Sequence, residues 1–147
     1  LAESKWSLLE GQTCFRLLLH IMQQLKTDSV FIISPFREVA YQFKDFCFDQ
    51  KAQFARTPVK HLGHWVEHNI GTVHTFQGKE AKAVILLLGA QSEQDLKGRR
   101  WATDKVNLLN VAISRAQQYF YIVGNHALWH KVGHMKTISH SIPIKKA

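Results

Sequence analysis

An α/β fold, a mostly parallel sheet with helices on both faces, is what this sequence predicts, on three observations. Near-continuous apolar runs at residues 30–33 and 83–89 alternate with amphipathic segments, the pattern of strands buried on both faces between helices. The length, 147 residues, is that of one ordinary domain, and a chain of this size buries roughly two thirds of its unfolded surface without staples. The composition, 46% hydrophobic and 20% charged, excludes disordered and collagen-like chains. No internal repeat and no Gly/Ser/Pro-rich linker divides the chain, so residues 1–147 are read as a single domain.

Each element has a local reason. Ser7 and Glu10 have the spacing of a capping box, and Leu18, Ile21, Met22 and Leu25 then recur at helical intervals, so the chain opens on a helix that Thr27-Asp28 breaks. Val30-Phe31-Ile32-Ile33, stopped by Ser34-Pro35, suits a doubly buried strand. A second helix is expected over residues 38–49, with Val39, Phe43 and Phe46 on one stripe. Residues 50–70 read as loop with an edge element, and Thr72-Val73-His74 as a short strand. The run at residues 83–89 is the strongest strand signal. Residues 91–104 are polar and basic, a surface loop; a helix follows over residues 105–116 and a strand over residues 119–124. A last helix is expected from His126, with a loose tail from Ser139.

Charge and cysteine usage narrow the function classes. The net charge is +8, yet residues 1–95 carry ten basic and ten acidic side chains. Residues 96–147 carry nine basic side chains against Asp104 alone, and such an asymmetry suggests a polyanionic partner. Cys14 and Cys47 lie far apart and form no CxxC pattern, so no disulfide framework or thiolate metal site is indicated, and a reducing, cytoplasmic setting fits. No apolar run reaches the roughly 18–20 residues of a membrane span and no signal peptide opens the chain, so no membrane partner is expected. His61, His64 and His68, and separately His126, His130 and His134, have spacings that share a helix face, but no cysteine or acid completes either set. They are read as surface groups and no metal site is assigned.

In parallel sheets ligands sit beyond the carboxyl ends of the strands, which singles out residues 34–37, 74–80 and 124–126. A nucleotide-hydrolysing protein also carries GxxxxGK[ST] and an acid ending a strand. The nearest segment here, Gly71 to Lys79, has six residues between its glycines and Glu80 in place of the metal-binding hydroxyl. The strand ending at Gly89 is followed by Ala90-Gln91. The chain has no phosphate loop and no magnesium site of its own.

What remains is specific. Gly71-Thr72-Val73-His74-Thr75-Phe76-Gln77-Gly78-Lys79-Glu80, an apolar strand, Asn110-Val111-Ala112-Ile113-Ser114-Arg115-Ala116 and a strand ending Val123-Gly124-Asn125 follow one another. Over nearly its whole length the chain resembles the second RecA-like domain of superfamily I helicases. These segments match its motifs V and VI, and Ser34-Pro35-Phe36-Arg37 matches motif IV. The likeness is greatest to the branch with the RNA-surveillance and replication-fragment-processing helicases, although His74 stands where those relatives usually carry an acid and Leu108 where many carry an arginine.

The resemblance implies a RecA-like, P-loop NTPase-type fold and a C-terminal motor domain of an ATP-dependent helicase. Such a motor translocates on single-stranded DNA or RNA and unwinds duplexes. ATP with Mg2+ is expected between this domain and a first RecA-like domain of the same full-length protein, which holds the magnesium. Arg115 matches the arginine finger, a guanidinium suited to spread phosphoryl charge. Gln77, Gly78, Lys79 and Glu80 match the nucleotide side. Ser34, Phe36, Thr72, His74 and Thr75 match the strand side, a sequence-independent task suited to hydroxyls and an imidazole. Arg99 and Arg100, with Lys97 and Trp101, combine charge and an aromatic on a loop able to track phosphates. The isolated domain is expected to be inactive as an ATPase. The alternative is a non-catalytic nucleic-acid-binding module that keeps the fold without the motor.

Overall fold

The computed structural model describes residues 4–89 and 106–125, with residues 106–108 described in backbone alone. The basic loop with Lys97, Arg99, Arg100 and Trp101, the helix expected from His126, the histidines 126, 130 and 134 and the tail lie outside the described residues.

Ser7 caps α1 (Leu8–Leu25) by accepting the Glu10 N–H at 3.3 Å. The first half of the capping box thus forms, while the Glu10 carboxylate reaches instead to the Gly89 N–H at 3.1 Å. Strand β1 (Val30–Ile33) is buried at all four positions, as its unbroken apolar run requires. Helix α2 (Arg37–Asp49) turns Val39, Ala40, Phe43 and Cys47 inward. Residues 50–70 are more ordered than the loop expected from sequence. A 3-10 turn covers Lys51–Arg56, α3 covers Leu62–Asn69, and the edge strand β2 is only Ile70–Gly71. Trp65 and Val66 supply the buried face of α3, a pair too small to show as a periodic stripe.

The strand expected at Thr72-Val73-His74 is a 3-10 turn, Val73–Phe76. Thr72 and Thr75 cap each other's backbone N–H groups, and that local solution outcompetes pairing. Strand β3 (Ala81–Leu87) follows, then α4 (Val106–Ser114) and β4 (Ala116–Val123). The helix expected to reach Ala116 stops two residues earlier, because Ala116 already pairs with Ala81.

The four strands form one sheet in the order β2-β1-β3-β4, every neighbouring pair parallel. With its flanking helices this is the expected α/β architecture, of RecA-like type. Ile32, Ile33, Ile85, Leu87 and Phe43 are essentially fully buried, and α1 brings Leu18 and Met22 against the same core. The Phe31 and Phe76 rings stack at 4.3 Å, laying the 3-10 turn along the sheet. Register decides where the candidate residues fall. Gly71 is level with Ile33, and Ile33 with Leu86. From the end of β2 to the start of β3 the chain therefore runs back about five strand residues, roughly 16 Å at the ordinary rise.

Candidate functional site

That return path divides the candidate residues between the two ends of the sheet. Thr72, His74 and Thr75 follow the carboxyl end of β2, whereas residues 77–80 precede β3 and Arg115 precedes β4. The expectation that segment 74–80 lies wholly beyond carboxyl strand ends is corrected on this point: its second half, with Arg115, is at the amino ends. The strand-end rule misled because β2 is short and the 3-10 turn carries the chain back along the sheet.

At the amino ends, the Ala81 N–H donates to the Arg115 carbonyl at 2.9 Å, joining the two strand starts. Half-buried Arg115 then spreads its guanidinium over the loop before β3. Its Nη1 donates to the carbonyls of Phe76 and Lys79, each at 3.3 Å. Its Nε donates to Val111 O at 3.3 Å and its Nη2 to Ser114 Oγ at 3.4 Å. These bonds are long and individually weak, but together they fix the direction of the fork. Beside it, Gln117 Nε2 donates to Glu80 Oε2 at 3.3 Å. Gln77, Gly78, Lys79 and Glu80 are all exposed.

Gly78 has φ +78°, and a Cβ there would meet nothing within 4 Å. Glycine is required for the backbone conformation, not for lack of room. The Lys79 N–H closes the turn on Phe76 O at 2.9 Å. The result is an open glycine turn rimmed by Lys79 and Glu80, with a planar cation beneath it. A phosphate competes for that cation better than neutral carbonyls do, because both partners are then ionised.

The carboxyl end is different. Ser34 is fully buried and its Oγ accepts the Phe36 N–H at 3.1 Å. Phe36 is 9% exposed, packs in the core and lies under Lys5, whose Nζ is 5.4 Å from the ring centroid. In this structure neither offers surface to a nucleic-acid strand. Thr72 is half-buried, while His74 and Thr75 are exposed. An N-terminal segment lies across this end. Ser4 Oγ donates to Glu38 Oε1 at 2.7 Å and the Lys5 N–H to Glu38 Oε2 at 3.3 Å. Gly89 (φ +69°) is approached so closely that a Cβ would stand 2.6 Å from both Lys5 O and Val39 Cγ2. Sequence reasoning missed Gln117 and the Lys5–Glu38 contact, and no motif marks either.

Burial pushes the thiols of Cys14 and Cys47 up, so both stay protonated and unreactive, and no thiolate chemistry belongs to the site. Among the described residues no group of three or more His, Cys, Asp or Glu side chains is placed to hold a metal ion. Among them, too, no helix is long and apolar enough to cross a membrane.

The family model described as AAA domain matches residues 2–127. This is a domain found in superfamily I helicases, and the match covers most of the chain, so the chain belongs to this family. No curated protein matches the chain.

Proposed function

We propose that this domain is the C-terminal motor half of an ATP-dependent superfamily I helicase acting on single-stranded DNA or RNA, and that it supplies the arginine finger. The observation that carries this reading is the convergence of Arg115 on residues 76–80, across 39 residues of sequence. ATP, when bound between this domain and a first RecA-like domain, supplies the phosphoanhydride that is hydrolysed, and Mg2+ is held by that first domain. Arg115 offers its fork to phosphoryl oxygens; Gln77, Gly78, Lys79 and Glu80 form the rim; Gln117 orients the Glu80 carboxylate. Thr72, His74 and Thr75 grip the strand backbone at the opposite end, joined by the basic loop with Arg99 and Arg100. The turn at residues 73–76 links the two ends, so a shift of the rim on nucleotide binding is transmitted to the strand grip. The domain alone is then inactive as an ATPase.

The test is Arg115→Ala in the full-length protein. ATP turnover should fall by about 10³-fold or more, the range lost with such fingers, while binding to single-stranded oligonucleotide stays near wild type. Wild-type turnover sinks the finger assignment. A second reading, a nucleic-acid-binding module without a motor, is favoured by the engagement of the Arg115 guanidinium on backbone carbonyls, which gives this side chain a purely structural role. It predicts salt-dependent oligonucleotide binding together with no ATP turnover in the wild-type full-length protein.

A further inference from the structure

Residues 4–6 cross the carboxyl end of the sheet on two unlike holds. The first is packing. The Trp6 ring centroid lies 6.5 Å from that of Phe43 and 6.4 Å from that of Phe46, and a Cβ on Gly11 would run into the indole. An interior glycine weakens a helix, so the space that Gly11 leaves in α1 is a seat for Trp6. The second hold is polar and faces water. Exposed Glu38 accepts the Ser4 hydroxyl on one carboxylate oxygen at 2.7 Å and the Lys5 N–H on the other at 3.3 Å. Ser4 Oγ in turn accepts the Trp6 N–H at 3.2 Å, which curls the short segment over Glu38.

Beneath the polar end lies the turn after β1. Ser34 Oγ accepts the Phe36 N–H at 3.1 Å, and Phe36 stands at the N-cap of α2. The Lys5 ammonium is 5.4 Å from the Phe36 ring centroid, and the Lys5 carbonyl lies so close to Gly89 that a Cβ there would stand 2.6 Å from it. The turn is thus fixed by buried groups, whereas its cover is fixed by one exposed carboxylate. Hydrogen bonds to an exposed group are modest holds, and so is a lysine over a phenyl ring near the surface. The seat of Trp6 is the stronger of the two, because aromatic rings packed together lose both area and ring contacts on leaving.

We propose that Ser4 and Lys5 are the releasable end of a strap anchored at Trp6, which covers the Ser34–Phe36 turn and opens to a single-stranded nucleic acid. On opening, Lys5 leaves the Phe36 ring for a backbone phosphate, so that a charge-assisted bond replaces a cation–ring contact. The inference rests on the reading of this end of the sheet as the strand grip, and it gives that grip a control. Strand affinity is reduced by the fraction of molecules in which the strap is closed, and Glu38 sets that fraction.

The test is titration of a fluorescent single-stranded oligonucleotide with the full 147-residue chain at several salt concentrations. Glu38→Gln leaves one amide oxygen where two carboxylate oxygens accepted, and should tighten binding about fivefold, the equivalent of one such hydrogen bond. Lys5→Met should weaken binding and lower the salt slope by about 0.7, one single-strand phosphate. Asp45→Asn and Lys82→Gln make the same charge changes at exposed positions away from the strap and should leave affinity and slope near wild type. An unchanged melting temperature shows that each variant is folded. Equal affinity in wild type and Glu38→Gln, an equal gain in Asp45→Asn, or an unchanged slope in Lys5→Met overturns the strap and leaves the strand grip standing. No binding by wild type or by any variant overturns the strand reading, and the strap with it.

Discussion

The two ends of one parallel sheet are built on opposite terms. At the carboxyl end, where ligands of such sheets usually sit, Ser34 and Phe36 are buried and the segment around Lys5 lies against Gly89 and Glu38. At the amino end the loop of residues 77–80 is exposed; its turn closes at 2.9 Å on Phe76 O, and the side chains that reach it, Arg115 and Gln117, do so by bonds of 3.3 Å. The first end is fixed by packing; the second is an exposed turn braced by polar side chains.

Two glycines with positive φ, one at each end, put the contrast to the test. Gly89→Ala adds a Cβ to a left-handed residue and drives it into Lys5 O and Val39 Cγ2. It should cost about 2–4 kcal/mol, strain and overpacking together, read as a lower midpoint in urea. A near-neutral result would mean that the N-terminal segment does not close the carboxyl end.

The interior between the ends supplies a pH test. The Cys14 and Cys47 thiols are pushed up by burial, so the folded state holds protons that the unfolded state releases above its ordinary thiol pKa of about 8.5. The stability they contribute is full below that pH and falls as pH rises through 9 and 10, by up to about 1.4 kcal/mol per pH unit for each thiol. Replacing both cysteines with alanine should flatten that decline in melting curves taken from pH 8 to 10.

At the amino end the effects should be smaller. Arg115→Ala removes several long bonds to partly solvated acceptors and should cost about 1 kcal/mol in the isolated domain. A loss of several kcal/mol would make Arg115 a structural strut and favour the module without a motor. Gly78→Ala meets no atoms and pays only for its left-handed backbone, about 1 kcal/mol or less once the stiffer unfolded chain is counted. The Gly89→Ala cost should therefore exceed the Gly78→Ala cost in the same denaturation series.

Elements built from long apolar patterns were legible in the sequence. The helix carrying Leu18, Ile21 and Met22 and the strand Val30–Ile33 form where the periodicity placed them, and β3 forms as Ala81–Leu87, two residues earlier than the run at 83–89 suggested. Helix α3 was not legible, because two inward residues over eight positions make no stripe. The strand expected at Thr72-Val73-His74 failed because its β-branched residues favour extension, while the reciprocal capping of Thr72 and Thr75 rewards a turn. In the candidate site, the residue types of Gln77 through Glu80 and Arg115 were readable as motifs. Their partner Gln117 was not, since a glutamine on a strand carries no signal until Glu80 is beside it.

By itself, then, the sequence determined the fold class, the lack of a GxxxxGK[ST] segment and the order and spacing of the segments at residues 71–80 and 110–116. Those properties are local or cumulative: residue type, spacing and the period of apolar positions. The tertiary structure alone decided which strand end each candidate occupies, that Arg115 meets the carbonyls of Phe76 and Lys79, and that Ser34 and Phe36 are covered. The reason is register. Where a strand starts and stops relative to its neighbours depends on pairing between distant segments, here Gly71 with Ile33 and Ala81 with Ala116, and no local pattern encodes it.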